Sequence, residues 1–221
     1  MSLVVITGGN RGIGFHLAVL YAEAGDQVVL GIRRPEHAPI LPGTVLPLDV
    51  GDSASVASFG SALAGRGVDI LINNAGIIGP DRQSALETDF EGFMQTLNVN
   101  TLGPLRVTQA LLPNLRKVEQ AKVVILTSRM GSLSYAKSNQ IAYRASKAAA
   151  NKVTQCLATD LAQEGVSVAA VHPGWARTDM GGPSADIAPE ESARGIKAVI
   201  DALSHATTGR FWNFDGSPIA W

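Results

Sequence analysis

Tyr143 and Lys147 stand four residues apart in Tyr143-Arg144-Ala145-Ser146-Lys147. On a helix this spacing puts both side chains on one face. A free phenol titrates near pH ~10, too high for ready proton exchange at neutrality. A neighbouring ammonium favours the phenolate and lowers that value. The pair therefore suits general acid–base chemistry, although the same spacing also occurs on idle helix surfaces. A second chemical segment is Thr7-Gly8-Gly9-Asn10-Arg11-Gly12-Ile13-Gly14. Gly8 suits a tight turn, Gly12 lets backbone approach a pyrophosphate, and Gly14 lets a helix pack closely on a strand. Free amides and the helix dipole would then face phosphates. Glycines also serve ordinary turns, so the flanking elements decide between the two readings.

Those elements are legible. Leu3-Val4-Val5-Ile6 is an aliphatic strand running into the glycine loop. Ile13, Leu17, Leu20, Tyr21 and Ala24 then mark one helix face, closed by Gly25. Further strands are expected at 28–30, 45–48 (weakened by Pro47), 68–72, 123–126, 166–171 and 209–213. Asp52 or Ser53 caps a helix carrying Val56, Phe59 and Leu63. Long helices are expected over about 88–116 and 140–163, and Pro189 opens a last one. Strands alternating with helices need right-handed crossovers, which place helices on both faces. The expected fold is α/β: a single-domain, doubly wound Rossmann fold over residues 1–221. It has about seven mainly parallel strands, with ligand sites at their carboxyl ends.

Composition excludes several classes. The 221 residues are 46% hydrophobic, 17% charged and only 5% aromatic, with 23 glycines, which suits a closely packed parallel sheet. Net charge is −1, so no general pull toward nucleic acid or an anionic membrane is expected. No apolar run reaches membrane-spanning length and no signal peptide is evident, giving a cytoplasmic expectation. Cys156 is the sole cysteine, so neither a disulfide within the chain nor a cysteine zinc cluster can form. It reads as a small buried side chain. His172 reads as structural, and His16, His37 and His205 have no metal-ligand spacing, so no metal is expected.

The glycine loop resembles that of the short-chain dehydrogenases/reductases. Matching segments follow in order: Asn73-Asn74-Ala75-Gly76, Asn100, Ser128, Tyr143-x-x-x-Lys147 and Pro173-Gly174. The resemblance implies that Tyr143 is the proton donor and that Lys147 also bonds the nicotinamide ribose. It implies that Ser128 stabilises charge on a carbonyl oxygen and that Asn100 holds a water beside the lysine. Ser128 precedes Tyr143 by 15 residues, longer than is common in the family, and Thr127 is an adjacent candidate donor. The resemblance further places Asp49 and Val50 at the adenine, though Asp49 also suits a turn before Gly51. Asn74, Ala75 and Gly76 line the cofactor, Pro173 and Gly174 lie beside the nicotinamide, and Thr178 meets its carboxamide.

An NAD site usually ends its second strand in an acid that bonds the ribose 2′-hydroxyl. Here the segment is Gly31-Ile32-Arg33-Arg34. Arg11 and Arg33 can clamp a 2′-phosphate, implying NADPH/NADP+; Arg33 and Arg34 also read as solvated loop charges. Met130, Tyr135, Trp175 and Met180 are candidate substrate-pocket residues, Trp175 and Met180 being equally readable as lid or core. Ser128-Arg129-Met130-Gly131-Ser132, His172-Pro173-Gly174-Trp175 and the Asn213-Phe214-Asp215-Gly216 ending resemble the C-factor-like branch, which includes sniffer-type carbonyl reductases. An NADPH-dependent reductase of small ketones and aldehydes is implied, in a homo-oligomer (dimer or tetramer) built on helices 88–116 and 140–163. A signalling protein that binds NADP(H), and an alcohol dehydrogenase working oxidatively, are the alternatives. The short stretch from Thr178 to Pro189 predicts a lightly covered pocket.

Overall fold

Seven strands form one fully parallel sheet in this computed structural model, in the order β3-β2-β1-β4-β5-β6-β7. The structure describes residues 1–38 and 40–221, His37 by its backbone alone. The strands are β1 Leu3–Thr7, β2 Gln27–Ile32, β3 Thr44–Pro47, β4 Ile70–Asn73, β5 Lys122–Leu126, β6 Ser167–His172 and β7 Arg210–Asn213. Every expected strand is present. β3, the one with a proline, is an edge strand, where a missing N–H disrupts no ladder.

The helices are α1 Gly12–Glu23, α2 Ser53–Ala62, α3 Phe90–Leu97, α4 Gly103–Leu115, α5 Ile141–Leu161 and α6 Pro189–Ala202. Alternation within each strand sorts its side chains between two cores. Val5, Leu71, Val123, Ile125 and Val168 face α2, α4 and α5. Val4, Ile6, Ile72, Val124 and Val171 face α1 and α6. The chain reverses strand order between β1 and β4, the switch point where α/β sheets place ligands.

Two details differ from the sequence reading. The long helix at 88–116 is interrupted: Asn98–Leu102 form a π-helical turn joining α3 to α4. Pro104 has no N–H to return to the Asn100 carbonyl, which disfavours a regular α turn there. Cys156 is exposed. The buried face of α5 runs through Thr154, Leu157 and Ala158, and residue 156 falls on its far side. Asp52 caps α2 as expected, its carboxylate accepting from the Ser55 N–H at 2.9 Å.

Candidate active site

The glycine loop connects β1 directly to α1. Gly8 takes φ +71°, a region that favours glycine. A β-carbon on Gly14 would lie 2.5 Å from Asn74 Nδ2 and 2.7 Å from the Gly8 carbonyl oxygen, so the helix can approach only because that carbon is missing. Asn74 Nδ2 donates to the carbonyls of Thr7 and Gly8, both at 2.9 Å. Thr7 Oγ1 accepts from the N–H groups of Asn74 (3.1 Å) and Ala75 (3.0 Å). The carboxyl ends of β1 and β4 are thereby tied into one rim. Arg11 occupies the N-cap position of α1 without a side-chain cap bond, and no acid lies in the first turn. The helix thus keeps amide donors and an uncompensated dipole for an anion, which fits a pyrophosphate.

Arg33 is exposed just after β2, and no acid stands between it and the strand end. Arg11 pairs with Asp179 at 2.5 Å, both ends exposed. The Thr178 methyl lies 3.2 Å from where a Gly12 β-carbon would be, so the loop after β6 reaches over the glycine turn. Asp49 accepts from the Gly51 N–H (2.9 Å), the turn-forming role also foreseen for it. Val50 is buried.

Lys147 is buried on α5 and donates to the Leu126 carbonyl at 2.8 Å, at the end of β5. Its ammonium lies 5.7 Å from the centre of the Tyr143 ring. Ser128 follows two residues after β5 and sits close enough to the phenol to lower its pKa. Thr127 Oγ1, the other candidate donor, is buried without a partner. Ser128, Tyr143 and Lys147 therefore meet at the carboxyl end of the sheet. Asn100 lies in the π-helical turn. Its Oδ1 accepts from Ile77 N–H (2.8 Å), while Nδ2 donates to the Ile77 carbonyl (2.8 Å) and Ser146 Oγ (3.0 Å). Gly76 is wedged beside it: a β-carbon there would lie 3.1 Å from Asn100 Oδ1 and 3.6 Å from Lys147 Nζ.

The electrostatics differ from what the Tyr–Lys spacing suggests. Burial pushes the Tyr143 phenol up to about 12, with Ser128 acting in the opposite direction. Burial pushes Lys147 down to about 8. Desolvation of both groups outweighs their mutual influence, so the phenol holds its proton at neutral pH. His172 is buried and held down to about 4 by burial first and Arg129 second, which keeps it neutral.

The four candidate pocket residues differ in exposure and partners. Met130 is half-buried, its N–H donating to Ser128 Oγ at 3.1 Å. Tyr135, Trp175 and Met180 are exposed. Trp175 Nε1 donates to the Gly181 carbonyl at 2.9 Å, which pins the indole to its own loop. Among the described residues no cluster of three or more metal-ligating side chains occurs, and no helix is long and apolar enough to cross a membrane. The expectation about His37 lies outside the described residues. Thr7, Gln83 and Ser146 were missed by sequence reasoning. Each acts through hydrogen bonds to backbone or to another site residue, which leaves no periodic trace.

A sheet with this switch point, glycine turn and Ser–Tyr–Lys grouping defines a nicotinamide-dependent α/β oxidoreductase. A family profile described as "short chain dehydrogenase" matches residues 2–187, and the chain belongs to that family. The C-signal protein of Myxococcus xanthus is 45% identical over 156 residues, covering 70% of this chain and 93% of that protein. An NADPH-bound carbonyl reductase from chicken fatty liver superposes with a TM-score of 0.89 at 31% identity, covering 100% of both chains. The carbonyl reductase Sniffer of D. melanogaster gives a TM-score of 0.90 at 28% identity, also covering 100% of both.

Proposed function

We propose that this chain is an NADPH-dependent reductase of small ketones and aldehydes, with residues 1–221 working as one cofactor-binding domain. The observation that carries the reading is the convergence of Ser128, Tyr143 and Lys147 beside a phosphate-ready glycine turn whose neighbouring strand is followed by Arg33 rather than an acid. NADPH, when bound, supplies the hydride for the carbonyl carbon. Gly8, Asn10, Arg11, Gly12, Ile13 and Gly14 would hold its phosphates. Arg33, together with Arg11, would hold the 2′-phosphate, with Asp49 and Val50 at the adenine. Asn74, Ala75, Gly76, Pro173, Gly174 and Thr178 would line the remainder.

Ser128 donates a hydrogen bond to the carbonyl oxygen as charge builds there. Tyr143 gives that oxygen its proton. Burial keeps the phenol protonated, the form that donates, while Ser128 acts in the opposite direction. Lys147 holds positive charge beside the phenol as it loses its proton. Asn100 keeps the loop after β4 fixed against α5. The intact acid–base set also weighs against a purely signalling NADP(H)-binding protein.

The reading is tested with a panel of ketones, aldehydes and diketones, following absorbance of the reduced nicotinamide with NADPH and with NADH. Turnover with NADPH is expected for several carbonyls. Tight NADPH binding without turnover of any would favour the signalling alternative. Arg33→Asp should cut the NADPH-to-NADH ratio of kcat/KM about tenfold or more, equivalent to about 1.4 kcal/mol. An unchanged ratio would remove Arg33 from cofactor selection.

Reductive kcat/KM should also depend on Lys147. Its folded pKa of about 8 lies below the ordinary lysine value, so the ammonium is present at neutrality and lost as pH rises through 8. A plateau below pH 7 and a fall centred near pH 8 are expected in the profile of kcat/KM for NADPH, which reports groups of the free enzyme. A profile flat to pH 10 would show that the lysine charge is dispensable.

A cytoplasmic homo-oligomer is part of this proposal. Phe90, Met94 and Leu102 expose apolar side chains along α3 and the π-helical turn, where they line a shallow groove. Pairing of this face between copies would cover it. Light scattering across a concentration series tests the assembly.

A further inference from the structure

Tyr143 is held through its own peptide groups. Its N–H donates to Gln83 Oε1 at 3.2 Å, and its carbonyl accepts from Ser146 Oγ at 2.7 Å. Ser146 Oγ in turn accepts from Asn100 Nδ2. The first turn of α5 has no cap of its own: Gln140 precedes it at φ 54°, and its side chain makes no capping bond. The first amides of a helix lack partners within it, and leaving them buried and unpaired is costly.

Gln83, far back in the chain, supplies the missing acceptors. Its backbone carbonyl takes the Ile141 N–H at 3.0 Å, and its side-chain oxygen takes that of Tyr143. Its amide nitrogen donates to the Ile78 carbonyl at 3.1 Å. Both ends of the amide are satisfied only in this orientation, since the reverse would set donor against donor. Gln83 is 8% exposed, and a glutamine so buried is retained where its hydrogen bonds are made. Ile78 adjoins Ile77, which Asn100 grips at both N–H and carbonyl. Two clamps therefore run from the loop after β4 to Tyr143, one on each side of that residue's backbone.

We infer that Gln83 is a positioning residue: by capping α5 from outside the helix, it sets the phenol of Tyr143 against Ser128 and Lys147. The inference rests on Tyr143 being the proton donor. Gln83→Met keeps the length and volume of the side chain and removes both of its hydrogen bonds. Gln83→Glu keeps an acceptor for the Tyr143 N–H. Gln83→Asn stays polar but is too short to reach both partners, and it serves if the methionine variant does not fold.

Each variant is assayed for steady-state carbonyl reduction, NADPH affinity by fluorescence titration, and thermal melting. Methionine and asparagine are expected to lower kcat about ten- to a hundredfold, because a misplacement of ~1 Å can cost ~10² in rate. NADPH affinity and carbonyl KM should stay within about threefold, since the fault lies in the aim of one group. Glutamate should recover most of the lost kcat. Unchanged kcat in the methionine variant, no recovery with glutamate, or a loss that merely tracks melting temperature and NADPH affinity would each overturn the inference. Tyr143→Phe is run alongside. A dead phenylalanine variant with a normal Gln83→Met defeats the positioning role alone. An active phenylalanine variant defeats the proton-donor reading beneath it.

Discussion

Tyr143→Phe should lower turnover by roughly 10²–10⁴-fold while NADPH binds within about twofold of its original affinity. The substitution removes one oxygen and leaves the ring in its buried place on α5. The Tyr143 N–H and carbonyl, gripped by Gln83 and Ser146, are untouched, so the helix should not move. Stability should change by about 1 kcal/mol or less, because Ser128 is the phenol's hydrogen-bonding neighbour and a single such bond contributes about that much. The separation of effects is what makes the variant informative. On the proposed reading Ser128 would still polarise the carbonyl and Lys147 would still carry its charge, so only the proton would be missing. Turnover from reduced-nicotinamide absorbance, binding by fluorescence and a thermal melt suffice. Near-normal turnover would remove the tyrosine from the mechanism.

The direction of the phenol's pKa bears on how such a site works. A Tyr–Lys pair four residues apart invites the idea that the ammonium pulls the phenol down. Here both groups are buried, and burial penalises each charged form separately: the phenol rises to about 12 and the ammonium falls to about 8. Spacing alone could not reveal this, because desolvation depends on what else packs against the helix. The closing elements are the loop at Ser128, the rim at Gly76 and the end of β5, all distant in sequence.

Other features divide in the same way. The seven strands were readable because each is a short aliphatic run, and a parallel sheet covered on both faces demands such runs. The glycine turn and the order of the chemical residues were readable because they lie at strand ends. The π-helical turn at 98–102 was not, since its periodicity differs from an α-helix by one residue within a single turn. The exposure of Cys156 was within reach, because the α5 positions that face inward follow regular helical spacing. The Arg11–Asp179 pair and the Gln83 clamp join segments far apart in the chain, and only the fold brings them together.

Gly14→Ala should damage cofactor binding, as Tyr143→Phe damages turnover. The added carbon would sit 2.5 Å from Asn74 Nδ2 and 2.7 Å from the Gly8 carbonyl oxygen. Neither neighbour can yield cheaply. Asn74 Nδ2 is committed to the carbonyls of Thr7 and Gly8, and the Gly8 carbonyl is part of the turn itself. Relief requires α1 to withdraw from β1, which costs about 1–3 kcal/mol of stability, as overpacking generally does. Withdrawal also moves the first-turn amides of α1 away from where a pyrophosphate would sit, so NADPH affinity should fall about ten- to a hundredfold. Gly25→Ala supplies the contrast. Gly25 takes φ +85° with nothing within 4 Å of the added carbon, so alanine there is strained but meets no neighbour. A loss of about 1 kcal/mol with unchanged NADPH affinity is expected at that position. Denaturant melts and NADPH titrations of the two variants, side by side, separate strain in the fold from damage to the cradle. Normal NADPH affinity in Gly14→Ala would mean that the amides at the start of α1 are not what holds the cofactor's phosphates.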